Sequence, residues 1–170
     1  RERDQYPHVK TMKTIIHSAK QLITCASDRP KRGESMRDVG MIEDGAVVID
    51  GDHIAAVGKT ADILAAYTAD HLIDASGKTV CPGFVDPHTH AVYAGDRIDE
   101  FEMRIRGAAY MDIMAAGGGI NSTVKATRAA SDHDLLIQTG DRLLTMLKLG
   151  TTSLEIKTGY GLDTVSEFRM

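Results

Sequence analysis

Cys81-Pro82-Gly83-Phe84-Val85-Asp86-Pro87-His88-Thr89-His90-Ala91-Val92-Tyr93-Ala94-Gly95-Asp96-Arg97 is the stretch on which the fold turns. Pro82-Gly83 punctuates the chain, Phe84-Val85 supplies a short apolar run, and His-Thr-His leads into a loop with a single arginine. Side chains two apart in a strand share a face. His88 and His90 are therefore expected on one face, close enough to hold one metal ion, with Thr89 pointing away and packing. Neutral imidazole is a common metal ligand and suits zinc, iron or nickel. The competing reading is two histidines hydrogen-bonded at a loop edge. Asp86 shares their parity, so it is expected inside in a structural role, supporting its neighbours. Cys81 reads as a small apolar residue before the strand.

Downstream the period changes. Gly107 to Ala116 reads as a helix with Tyr110, Ile113 and Met114 on one side. Gly117-Gly118-Gly119 reads as its stop, with close backbone approach to a ligand as the alternative. Ser131 to Leu149 is a firmer helix. Ser131 and Asp134 have capping-box spacing, Leu136, Leu143, Leu144 and Leu147 are expected on one face, and Gly150 follows as the stop. Thr151 to Ile156 is then a strand, ended by Lys157, which reads as structural. Strand, helix, strand is the alternation of a parallel β/α barrel, whose active sites lie at the C-terminal ends of the strands.

Upstream, residues 1–12 lack periodicity and read as a frayed end. Lys13 to Cys25 reads as one strand turning into another, and Ser27 to Asp38 as an exposed loop. Gly45–Ile49 and His53–Val57 flank Asp50-Gly51-Asp52, the signature of a hairpin. Thr60 is expected to cap a short helix through Ala66, with Asp62 complementing its dipole. Leu72-Ile73 and Thr79-Val80 flank another turn. The fold class is α/β: a small N-terminal β-sandwich over 1–80, then the first strands and helices of a barrel over 81–170.

Bulk properties exclude several classes of function. The chain of 170 residues is 42% hydrophobic and 26% charged with a formal charge of -4, which gives no electrostatic reason to expect nucleic acid or an anionic membrane. No apolar run approaches the roughly 20 residues that span a bilayer. Cys25 and Cys81 are far apart, so reduced thiols and a cytoplasmic location are expected.

Beyond the Pro82–His90 run, the motifs are Ala94-Gly95-Asp96-Arg97, Tyr110-Met111-Asp112-Ile113, Ala116–Ile120, Ser122-Thr123-Val124 and Glu155–Leu162. Together, in this order, they resemble the imidazolonepropionase family of the amidohydrolase superfamily. The resemblance runs from about residue 40 onward. It implies one divalent metal ion, zinc or iron, with His88 and His90 among its ligands. It implies the substrate 4-imidazolone-5-propanoate, gripped by Arg97 and Tyr160 and hydrolysed to N-formimidoyl-L-glutamate by a metal-activated water. It also implies a homodimer for the full-length protein. Guanidinium suits the propionate because it binds carboxylates through paired hydrogen bonds. The competing role for Arg97 is a surface pair with Asp96 or Asp99, and for Tyr160 packing on a loop glycine.

A complete barrel takes about 250 residues. Cys81 to Met170 holds room for two strands and their helices, so the barrel is expected to be incomplete. The family's remaining metal ligands, a histidine and an aspartate, and a further substrate histidine fall on later strands. None of His8, His17, His53, His71 or His133 is placed to replace them, and the chain reads as part of a longer enzyme that is inactive alone. Two other functions are weighed: a superfamily deaminase acting on a nucleobase or aminopurine, and a non-enzymatic assembly protein. A nucleobase offers Arg97 no carboxylate, and intact His88 and His90 speak against the assembly protein.

Overall fold

The computed structural model describes residues 11–170, which fall into two compact units divided between Pro82 and Gly83. Most of the end read as frayed lies outside the described residues. Its last two residues are tied down: the Thr11 hydroxyl donates to Asp50, and the Met12 carbonyl accepts from the Gly51 amide at 3.2 Å.

The first unit is built on β1 (Lys13–Ile23). It pairs antiparallel with β2 (Met41–Asp50) and parallel with β4 (His71–Asp74), then with β5 (Thr79–Val80) further along its length. β3 (His53–Lys59) completes the hairpin read around Gly51, which has a φ of +61°. Within Lys13 to Cys25 there is one strand with a bulge, β1, where one strand turning into another was expected. The register slips between Ile16 and Ala19, and Ser18 sits at a φ of +58°. The amide freed by this bulge donates to the Thr60 hydroxyl at 2.9 Å. Thr60 is thus the first residue of α1 (Thr60–Ala66) and anchors the bulge, while Lys59 occupies the cap position.

Ile63 of α1 packs with Ile15, Ala46 and Val48 into one core cluster. A second cluster joins Ala19, Leu22 and Ala75. Strand alternation sends Ile16, Val47 and Ile49 to the other face, where with Ile54 and Val57 they line an apolar hollow. The described residues of the first unit form one mixed sheet, where a sandwich of two facing sheets was expected. The Ser27–Asp38 loop is exposed as read, and contains a short 3-10 turn over Gly33–Arg37.

The second unit opens with β6 (Phe84–Thr89), paired in parallel with β7 (Thr151–Ile156). Between them run α2 (Ile98–Ile105), α3 (Tyr110–Ala115), α4 (Ile120–Ala129) and α5 (Asp132–Lys148). α6 (Thr164–Arg169) follows β7. The helix expected over Gly107–Ala116 begins at Tyr110, and the glycines end it as read: Gly117 and Gly118 donate to the Met114 and Ile113 carbonyls. The capping box at Ser131 and Asp134 forms in both directions.

The buried side of α5 differs from the expected leucine face. Leu135 is 5% exposed, with Thr139, Arg142, Leu143 and Met146 part-buried along the same side. Leu136 is instead 72% exposed, and Leu144 and Leu147 are exposed too. The packed stripe takes the polar Arg142 because a partner inside the unit holds its charge. No helix among the described residues is long and apolar enough to cross a membrane.

Candidate active site

His88 and His90 lie at the C-terminal end of β6 with ring centroids 5.5 Å apart and planes at 73°. Two imidazoles sharing an ion through bonds of about 2.1 Å would have centroids roughly 5 Å apart, so this spacing fits a common metal. The buried Nδ1 of His90 has no hydrogen-bond partner, which is costly for a buried nitrogen without a ligand. His88 is exposed. The two residues therefore fit part of a metal site. Among the described residues no third histidine, cysteine or carboxylate joins them.

Strict alternation breaks just before the pair. The register between β6 and β7 slips between Asp86 and Thr89. The Asp86 carboxylate accepts from the His88 amide at 2.9 Å and from the Thr89 hydroxyl, so Thr89 is tied back to Asp86 rather than only packing away from it. These bonds, the hydroxyl's first, hold the Asp86 carboxyl below its ordinary pKa. Asp86 thus fixes the backbone that carries His88, which is the supporting role read for it.

β7 brings the second half of the site. The Lys157 amide donates to the Thr89 carbonyl at 2.9 Å, continuing the strand pairing to the level of the histidines. Lys157 itself pairs with Glu155, which lowers the Glu155 pKa, and its reading as structural is in keeping with that contact. The next turn places the Tyr160 ring 5.2 Å from His90 and 5.7 Å from Tyr93. Gly159, at a φ of +142°, permits this approach: a Cβ there would stand 3.1 Å from His90 Cε1. Tyr160 therefore packs on His90 and not merely on a glycine.

Two residues that the motifs did not single out hold this cluster. The Arg142 guanidinium lies 3.5 Å over the Tyr93 ring and donates to the Ala91 carbonyl at 3.0 Å, clamping the loop after His90. Glu167 Oε1 accepts from the Gly161 and Leu162 amides at 2.8 Å each, fixing the chain just past Tyr160. These contacts lie 51 and five to six residues apart in sequence. Only the second is local enough for a carboxylate after a glycine turn to have suggested it.

Arg97 stands on the loop between β6 and α2. Its Nε donates to the Thr123 hydroxyl of α4 at 3.0 Å, and neither Asp96 nor Asp99 pairs with it. Asp96 instead accepts from the Ile98 amide at the start of α2. Among the described residues no hydrogen bond or ring contact links Arg97 to the two histidines. Cys25 and Cys81 are both free and exposed, and Cys81 borders the apolar hollow of the first unit, away from any ligand role.

Comparison with known proteins bears on this geometry. The family model of the imidazolonepropionase-like composite domain of bacteria matches residues 45–69. Imidazolonepropionase of Chloroflexus aggregans is 54% identical over 91% of this chain and 36% of its own length. That of Herpetosiphon aurantiacus is 51% identical over 96% of this chain and 37% of its own. Over most of its length the chain is similar to imidazolonepropionases. It spans little more than a third of the curated imidazolonepropionases it matches. Among solved structures, an adenosine deaminase from Xanthomonas campestris with bound zinc aligns with a TM-score of 0.60 at 18% identity, over 85% of this chain and 28% of that one. Ochratoxinase of A. niger aligns at 0.50 with 22% identity, over 89% of this chain and 27% of that one. At those identities the likeness concerns the fold alone, which is that of amidohydrolase-type proteins.

Proposed function

We propose that the protein bearing this sequence is an imidazolonepropionase that opens the ring of 4-imidazolone-5-propanoate to give N-formimidoyl-L-glutamate. The observation that carries this reading is the buried, unpartnered His90 Nδ1, set between His88 and Tyr160 at the C-terminal end of β6. A divalent cation, zinc or iron, would be held there by His88 and His90 with ligands from beyond the described residues. It supplies Lewis acidity that polarises the ring carbonyl and activates water.

The chain's own residues do the rest. Arg97 offers its terminal nitrogens to the propionate, a charge-assisted contact that orients the ring. Tyr160, braced by Tyr93 and by Glu167 through the following amides, offers a hydroxyl to the ring or to the nitrogen being freed. Water adds across the ring amide: its oxygen joins the carbonyl carbon, the ring C–N bond breaks, the carbonyl carbon becomes the new carboxylate, and the released nitrogen takes a proton as part of the formimidoyl group. The deaminase alternative has no use for Arg97, and the relatives at 49–54% identity are imidazolonepropionases. We place the enzyme in the cytoplasm as a homodimer, with no nucleic-acid or membrane partner. The test is steady-state assay of the full-length protein. Formation of N-formimidoyl-L-glutamate is the expected result. Absence of that product, with ammonia released from an aminopurine instead, would overturn the proposal.

A further inference from the structure

Three bonds sew the stretch from Ala94 to Glu100 onto α4. The Ala94 amide donates to the Thr127 hydroxyl at 3.1 Å, Arg97 Nε donates to the Thr123 hydroxyl at 3.0 Å, and Glu100 Oε1 accepts from the Gly119 amide at 2.8 Å. All three α4-facing polar side chains are buried: Thr127 is 1% exposed, Thr123 6% and Glu100 8%. Thr123 and Thr127 lie one turn apart, so both face the loop. Gly95 fits between them, since a Cβ there would stand 2.9 Å from the Ala126 methyl. The seam leaves little freedom in the loop that carries Arg97.

We infer that Thr123 is a positioning residue that selects which edge of Arg97 meets the substrate carboxylate. A guanidinium offers a carboxylate two kinds of paired edge: Nε with one terminal nitrogen, or the two terminal nitrogens together. Thr123 occupies the Nε proton, and among the described residues no acid takes the terminal nitrogens. The end-on fork is the edge presented. Because Thr123 is buried in a helix pinned at Gly119 and at Thr127, it holds the guanidinium plane against rotation before any ligand arrives. This rests on the reading of Arg97 as the carboxylate-binding residue.

The test uses the full-length protein with Thr123→Val, which keeps the branched shape and removes the acceptor, and Thr123→Ser, which keeps the acceptor. Thr123→Val should raise KM for 4-imidazolone-5-propanoate about tenfold, the loss of one bond to a charged group, with kcat within about twofold. Thr123→Ser should restore KM, and the loss should shrink on an imidazolone without the propionate arm. The Arg97 Nε proton should exchange slowly with water in the wild type and the Ser variant, and fast in the Val variant. An unmoved KM, equal losses on both substrates or failure of Ser to restore would overturn the inference. If the wild type does not hydrolyse the imidazolone, the proposed activity falls and sodium propionate decides this point. Weaker propionate binding by Thr123→Val, read on the Arg97 resonances, supports the inference, and equal affinities overturn it.

Discussion

Gly159→Ala puts the link between loop geometry and the histidine pair to a sharp test. The new methyl would stand 3.1 Å from His90 Cε1 and 3.5 Å from Nδ1, at a φ of +142° that side chains rarely adopt. Backbone strain of this kind costs about 1–3 kcal/mol. His90 has little room to retreat, with the His88 ring centroid at 5.5 Å and that of Tyr160 at 5.2 Å. If the strain is relieved by turning His90, it falls on metal affinity, where each 1.4 kcal/mol is tenfold, so roughly five- to 150-fold is lost. Gly107→Ala is the control: φ is +90°, and nothing lies within 4 Å of the added atom. Zinc competition against a chromophoric chelator, on the metal-stripped full-length protein, measures both variants. Gly159→Ala should bind zinc more weakly, and Gly107→Ala should lose stability alone. Equal zinc affinity in the wild type and Gly159→Ala, or equal losses in the two variants, would refute the reasoning.

Other perturbations read other parts of the account. Gly83→Ala should destabilise the second unit by about 1–3 kcal/mol in urea titration, because its Cβ would stand 2.7 Å from Thr152 Cβ, which no rotamer change relieves. Arg142→Gln removes the charge over Tyr93 and the bond to Ala91, and should cost about 1–3 kcal/mol of stability and broaden the Tyr93 and Tyr160 ring resonances. Asp163, at the cap of α6, has its pKa lowered from 3.8 by the Ser166 amide first and then the Ser166 hydroxyl, with Arg128 adding to the effect. A carboxylate with a depressed folded pKa stabilises above its unfolded value, and that stability is lost as pH falls through the folded one. The stability difference between wild type and Asp163→Asn should therefore hold from neutral pH to about 4 and close below it.

Local chemistry made part of this legible. The Asp-Gly hairpin and the Ser131 capping box each depend on residues within a few positions, and each forms as read; the same short spacing brings the His88 and His90 rings within 5.5 Å. α2 escaped because its pattern is inverted: Ile98, Phe101 and Ile105 are 64–71% exposed while Glu100 is buried. The reason is Gly119, whose amide needs an acceptor, and no local rule links it to Glu100 nineteen residues away. The same distance problem hid Arg142, whose charge is absorbed by a tyrosine and a carbonyl some fifty residues upstream, making it part of the packed face of α5. The bulge in β1 left its mark only as an unremarkable Ser18, since what it needs is the hydroxyl of Thr60. The His88 and His90 rings lie 5.5 Å apart even though the register slips before them, and the Asp86 carboxylate accepts from the His88 amide there.

Elemental analysis of the purified full-length protein tests the central claim most directly. About one divalent metal ion per chain is expected in the wild type and far less in the His88→Ala/His90→Ala double variant, since the remaining ligands alone hold zinc weakly. A double variant that stays folded and keeps the wild-type metal content would contradict it, because the two histidines would then not be ligands.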